Sequence, residues 1–336
     1  MSATNYSSPT EAISSCPACG LADGNQAVIH HPALPLARCS RCGLVYTCTQ
    51  AADISSVYVQ TYYTHQPIRW TPGRGQMLRA LALHRFCGYP LPGNLAERIP
   101  RGLIATASLV LTPIKGYWRT IPPAIPAGVI LDVGCGNGLY LARLCALGWS
   151  VHGLEPDAQA YAHVRGSLGL DVVCGTIENN PWPDNSFDVI TFWHSLEHMA
   201  RPVDALQAAY ALLRPRGLLM MDVPNWDSLQ RRIFGQYWFH LDLPRHLVHF
   251  SSHSLAFCLT AAGFSSIRVS AVPSAVGVTG SLERLLRRRQ VGEPAGGSQP
   301  PPWRHNRLLK ALVWPGEALL APLGLAGCLT ATARKR

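Results

Sequence analysis

The sequence predicts an α/β fold built on an open, mostly parallel sheet, and three observations carry that expectation. The first is Val129-Ile130-Leu131-Asp132-Val133, an apolar run with the character of a buried parallel strand. It breaks into Gly134-Cys135-Gly136-Asn137-Gly138, after which Leu141, Leu144, Cys145 and Leu147 recur at helical spacing. The second is Glu155, 17 residues after Gly138, at the end of a second strand-like run, Val151-His152-Gly153-Leu154. The third is the alternation of strand-like and helix-like stretches that continues to residue 272.

Taken in order, residues 1–15 are rich in Ser and Thr and are expected to be disordered. Cys16-Pro17-Ala18-Cys19-Gly20 and Cys39-Ser40-Arg41-Cys42-Gly43 are two C-x-x-C-G knuckles with 19 residues between Cys19 and Cys39. They predict a zinc ribbon over 16–50. Four thiolates from Cys16, Cys19, Cys39 and Cys42 close a tetrahedral shell and leave no place for water, so the metal is expected to be structural. Residues 51–126 are read as a lid and linker. Tyr58, Tyr62, Tyr63, His65 and Trp70 either cover a ligand or bury the seam between ribbon and core. A helix is expected over 76–90. Residues 102–114 are apolar with basic flanks, too short to span a bilayer but suited to its interface.

The core domain is expected over 127–280. Helices are predicted at 158–168, 203–213 and 255–262, and further strands at 170–174, 187–193, 217–223 and 267–272. A seventh strand is not evident, and the chain after Pro273 reads as helical around 282–286. Residues 224–250 form an aromatic and histidine-rich insert after the fifth strand. Ligands of such sheets bind at the carboxyl ends of the strands, so the insert is expected to cover an acceptor pocket. In the last region, 281–336, residues 311–332 carry one charge, Glu317, between Arg287-Arg288-Arg289 and Arg334-Lys335-Arg336. The expected role is a peripheral or re-entrant membrane segment. A spanning helix and a segment packed on the protein are the alternatives.

Charge divides unevenly along the chain. Residues 60–120 and 281–336 each carry a net +7, whereas 121–280 carry −3. Basic flanks with apolar stretches fit an anionic membrane surface better than a nucleic-acid groove, so nucleic acid is not an expected partner. The 11 cysteines are too few and too scattered for a disulfide scaffold, and the first 15 residues lack an apolar signal region. A cytoplasmic location follows as an expectation, with possible peripheral contact at the inner face of the plasma membrane.

The glycine turn lets the backbone approach a ligand closely, and an acid at the tip of strand two can accept from both hydroxyls of a ribose. These features do not separate NAD from S-adenosylmethionine. The successive motifs LDVGCGNG, GLEPD, PDNSFDVITFWHSLEHM and LLRPRGLLMMDVPN resemble those of class I S-adenosylmethionine-dependent methyltransferases over residues 127–272. The resemblance implies a Rossmann-like methyltransferase sheet, with S-adenosyl-L-methionine as cofactor. It implies that Asp132, Gly134, Gly136 and Gly138 wrap the methionine part and that Glu155 holds the ribose. Thr176 and Ile177 lie where the family's adenine loop lies, and Trp193 completes the expected cofactor set.

Methyl transfer needs an aligned acceptor and, for a hydroxyl or carbon acid, a proton acceptor with a pKa near neutrality. His194 and His198, near the fourth strand tip, and His246 and His249, in the insert, are the candidates, with His194, His198 and His246 preferred. The ribbon, the core and Leu243-Pro244-Arg245-His246 together resemble zinc-containing C-methyltransferases of deoxysugar pathways. His246 matches that group's histidine, while Arg245 stands where it has a glutamate. An arginine suits an anionic acceptor such as a phosphate or uronate. The alternative is that Arg245 and His246 only buttress the insert. The expected acceptor is a small polar molecule or a nucleotide- or lipid-linked sugar. An RNA methyltransferase or a non-catalytic cofactor-binding subunit are the rival readings.

Overall fold

The structure is a computed structural model that describes residues 10–29, 35–51, 76–91, 119–287 and 306–336. The aromatic cluster at 58–70 and the apolar stretch 102–114 lie outside the described residues.

At the N-terminal end, short strands β1 (Thr10–Ala12), β2 (Gln26–Ile29), β3 (Leu36–Arg38), β4 (Val45–Thr47) and β5 (Thr49–Ala51) surround the two cysteine knuckles. Strand β1 pairs with β5, so residues 10–12 form a strand inside the stretch expected to be disordered. Helix α1 (Gln76–Cys87) buries Leu81, Ala82 and Leu83.

The core then alternates as expected. It runs through β6 (Val129–Val133), α2 (Leu139–Cys145), β7 (Ser150–Glu155), α3 (Ala158–Leu168), β8 (Asp171–Cys174) and β9 (Phe187–Trp193). It continues through α4 (Pro202–Leu212) and the long β10 (Leu213–Pro224). Helix α3 starts because Asp157 caps it, accepting from the backbone N–H of Gln159 and Ala160. It ends at Gly169, which takes a left-handed conformation. Pro202 opens α4, where its missing N–H costs nothing.

After β10 come α5 (Leu229–Phe234), the two-residue β11 (Val248–His249), α6 (Ser252–Ala261), β12 (Ser265–Val272), α7 (Ala275–Leu286), α8 (Arg307–Leu320) and β13 (Cys328–Arg334). The central sheet has seven strands in the order β12-β13-β10-β9-β6-β7-β8, parallel except that β13 runs antiparallel to both β10 and β12. This is a Rossmann-like α/β sheet.

Two expectations are corrected here. The seventh strand exists: it is β13, and it comes from the segment expected to lie in a membrane. Leu329, Ala331 and Ala333 are at most 1% exposed in the sheet core, so residues 328–334 are part of the domain. The domain therefore does not end near residue 280. The other correction concerns the insert. Its β11 completes the ribbon sheet, in the order β11-β4-β3-β2, and Trp226, Trp238, Leu241 and Leu243 pack with Leu36 and Val45 of the ribbon. The insert thus joins the ribbon to the core. None of residues 226–250 lines the cleft at the carboxyl ends of β6, β7 and β9.

Candidate active site

The cleft opens at the carboxyl ends of β6, β7 and β9 and encloses about 670 Å³. Asp132, Gly134, Gly136 and Glu155 form one part of its lining, with Thr176 and Ile177 from the turn after β8. Trp193, His194 and His198 line it from the end of β9. Two of the expected residues lie elsewhere. Gly138 does not line the cleft, and a Cβ there would come within 2.8 Å of Val164. Its smallness serves the packing of α2 on α3. His246 is 6% exposed and sits behind His198, their rings edge to face at 4.7 Å, so it cannot reach an acceptor as a base directly.

At the glycine turn the physics is close approach. Gly134 has φ +75°, and a Cβ there would meet Ser195 at 2.7 Å. Glu155, 7% exposed, ties the turn to β7: its Oε2 accepts from Gly136 N at 2.7 Å and its Oε1 from Asp157 N at 3.0 Å. Asp132 is 3% exposed and accepts from Thr191 Oγ1 at 2.7 Å. Burial pushes its carboxyl up to about 7 against the Thr191 hydrogen bond, with Glu155 adding repulsion. Buried Trp193 Nε1 and Ser195 Oγ have no hydrogen-bond partner, although both residues line the cleft. A polar ligand would satisfy them. The glycine gap, the strand-tip acid and these orphaned groups fit a polar adenosine-containing cofactor.

The other part of the lining is built at the turn after β9. His194 adopts φ +53°, rare for a non-glycine side chain and a mark of a constrained site. Its N–H donates to Asp222 O at 2.9 Å, and its Nδ1 lies 3.2 Å from Glu197 Oε1. Burial opposes charge on His194, but Cys328 and the Glu197 carboxylate outweigh it and hold the imidazole well above its usual value. His198 behaves oppositely, since burial holds its pKa down. Its Nδ1 donates to Arg245 O at 3.0 Å.

Arg245 itself is not offered to an acceptor. It grips Asp242 through Nε at 2.9 Å and a second nitrogen at 2.6 Å, and Arg284 adds a third bond at 2.7 Å. Burial works against the Asp242 charge, but the two arginines hold its carboxyl well below the usual range. The expectation of an anion-binding Arg245 is corrected: its charge is spent inside the protein. Sequence reasoning passed over Asp242, Ser195 and Cys328. Asp242, three residues before Arg245, carried a usable signal, because that spacing suits an ion pair within one turn.

In the ribbon, Cys16, Cys19, Cys39 and Cys42 converge with their sulfurs all within 4.8 Å of one another. The pairs Cys16–Cys42 and Cys19–Cys39 are each 3.5 Å apart. Sulfurs around a tetrahedral zinc sit about 3.8 Å apart, given Zn–S bonds of about 2.3 Å. The four donors therefore fit a structural zinc.

Residues 112–269 match the sequence family described as a methyltransferase domain. The matched stretch holds the strands from β6 into β12. The ubiquinone biosynthesis O-methyltransferase of Bradyrhizobium diazoefficiens is 32% identical over 123 residues, 34% of this chain and 48% of that protein. A probable S-adenosylmethionine-dependent methyltransferase of Mycolicibacterium smegmatis is 30% identical over 97 residues, 29% of this chain and 38% of that protein. The chain thus spans about half or less of the length of these curated relatives. Among solved structures, a putative sarcosine dimethylglycine methyltransferase from Galdieria sulphuraria overlaps 77% of this chain and 98% of its own, with 18% identity and a TM-score of 0.45.

Proposed function

We propose that the chain transfers a methyl group from S-adenosyl-L-methionine to a small polar acceptor, with a structural zinc in the ribbon. The observation that carries the reading is one cleft with two kinds of lining. Gly134, Gly136, Glu155 and Ile177 suit the cofactor, and His194 and His198 face the same space. When bound, S-adenosylmethionine supplies an activated methyl group on its sulfonium. Glu155 would accept from the ribose hydroxyls, Ile177 would pack on the adenine, and Gly134 would leave room for the backbone approach. Trp193 Nε1 and Ser195 Oγ would gain partners. The acceptor's proton must leave as the methyl arrives, and His194 and His198 line the part of the cleft from which it would depart.

A nucleotide- or lipid-linked sugar is the acceptor class we favour, because the surface includes an exposed apolar patch. Ile233 of α5, Leu285 and Leu286 of α7, and Leu308, Leu312, Trp314 and Leu319 of α8 are all exposed. Helices α5 and α8 both pack on α7. Arg232 and Arg287 are exposed in the same helices or at their ends. Apolar residues with basic neighbours suit the interface of an anionic bilayer. No helix among the described residues is long and apolar enough to cross a membrane. The contact we favour is with the bilayer surface rather than across it.

The test is transfer of an isotopically labelled methyl group to nucleotide-linked and polyprenyl-linked sugars. Label should appear in one of these pools and fall sharply in His194→Ala, while cofactor affinity changes little. Label entering RNA alone would favour the nucleic-acid reading and defeat this one.

A further inference from the structure

Glu197, His198 and His246 each bring one ligand-type atom within 4.8 Å of the other two. They come from separate parts of the chain, the turn after β9 and the insert. Leu247 N donates to Glu197 O at 2.9 Å, which stitches those parts together.

The two imidazoles are fixed in a particular tautomer. His198 Nδ1 is held on Arg245 O at 3.0 Å, and His246 Nδ1 on His240 O at 2.8 Å. A carbonyl only accepts, so each ring carries its proton on Nδ1 and has its lone pair on Nε2. Backbone carbonyls orient metal-binding histidines in this way.

Glu197 supplies an independent observation. It is 1% exposed, and while Oε1 meets His194, Oε2 is buried with no hydrogen-bond partner. A carboxylate oxygen left so costs free energy unless something cationic or protic fills the gap. Asp242 Oδ2 lies 3.9 Å from His246 Nε2. It is already engaged by Arg245, so it adds negative potential rather than a ligand.

We propose that Glu197, His198 and His246 bind a divalent first-row transition ion at the acceptor end of the cleft. Two imidazole nitrogens and one carboxylate oxygen suit zinc, manganese or iron and leave coordination positions open. His198 lines the cleft, so the open side faces the space where an acceptor would sit.

This rests on the methyl-transfer reading and sharpens it. The ion would lower the pKa of an acceptor hydroxyl, which favours O-methylation. The hydroxyl proton passes to solvent water. The oxygen forms a bond to the methyl carbon as the carbon–sulfur bond breaks, and the sulfur keeps that electron pair as S-adenosylhomocysteine leaves.

The probe is Mn²⁺, which prefers oxygen and nitrogen donors and leaves the four-cysteine cluster alone. Full-length protein, dialysed against a weak chelator, is titrated while the free-ion electron paramagnetic resonance signal is followed. One Mn²⁺ per chain is expected, bound about tenfold or more weakly in Glu197→Gln and His246→Ala. Paramagnetic broadening of the His198 and His246 ring signals in the unmodified protein needs no variant and serves if the variants misfold. S-adenosylhomocysteine binding on the same samples separates the two readings. Binding of S-adenosylhomocysteine without Mn²⁺ overturns the metal site and leaves methyl transfer standing. Mn²⁺ binding without S-adenosylhomocysteine does the reverse. Binding of neither removes both.

Discussion

His194 and Glu197 face each other across 3.2 Å at the end of β9, and the second oxygen of Glu197 is buried with no hydrogen-bond partner. Cys328 and this carboxylate raise the pKa of the histidine above its usual value, and the carboxylate itself remains half satisfied. Such an arrangement is costly unless a ligand completes it. It ties the strained turn after β9 to the chemistry of the cleft.

Asp132 gives a pH prediction. Its carboxyl titrates near 7 in the folded chain because of burial, whereas the free side chain titrates at 3.8. A raised acid favours folding only below the unfolded pKa, and stability is lost as pH rises from about 4 through about 7. Asp132→Asn removes this loss and can still accept from Thr191. Its thermal midpoint relative to the parent should therefore be more favourable at pH 8 than at pH 5, read by calorimetry. An equal difference at both values would contradict the buried, neutral-prone carboxyl.

The ribbon should hold one zinc per chain that resists weak chelators. Cys42→Ser should lose it. Because β11 pairs with β4, the loss should spread into the insert. Hydrogen exchange at Val248 and His249 should then speed up together with that at Val45 and Tyr46. Unchanged protection at Val248 would mean that the insert does not depend on the ribbon.

Asp242 sits between Arg245 and Arg284, with side-chain exposures of 14%, 10% and 22% respectively. Asp242→Ala leaves two guanidiniums facing each other without compensation. Breaking a buried pair of this kind costs about 3–5 kcal/mol. Denaturant titration should show that loss, while Arg284→Ala alone should cost less, because Arg245 still serves the carboxylate.

The apolar patch is tested without cutting the chain. Deleting the tail would remove β13 from the middle of the sheet and unfold the domain. Leu312→Asp with Leu319→Asp changes exposed positions only, at 79% and 76% exposure. The parent should co-sediment with anionic liposomes, more weakly at high salt, and the double variant should remain in solution with cofactor binding intact. A parent that ignores liposomes would defeat the surface contact.

The parallel strands and the glycine turn were legible because they are local. Ile130 and Leu131 point to opposite faces of the sheet and both are buried, so the strand is continuously apolar there, and the turn is written in glycines. Strand β13 was not legible for a physical reason. Its Leu-Thr-Ala-Thr-Ala pattern is short, small and set at the end of an apolar run, so length and hydropathy point to lipid. What makes it a strand is antiparallel pairing with β10 and β12, remote in sequence. The insert misled in a similar way. Its position after a strand tip suggests a lid, yet Trp226 and Trp238 were spent on packing the ribbon. The histidines of the site could be picked out by type. Their grouping could not, because the rings of His198 and His246 meet edge to face only once the insert folds back on the turn after β9.

The most direct measurement is equilibrium binding of S-adenosylhomocysteine to the full-length chain, compared with Gly136→Val. Gly136 has φ +55° at the turn, and its N–H is held by Glu155. A valine disfavours that conformation and pushes side-chain atoms toward the ligand. The account predicts saturable binding by the parent, with no detectable binding by a variant that keeps its circular dichroism spectrum. Binding of NAD with no affinity for S-adenosylhomocysteine would contradict it.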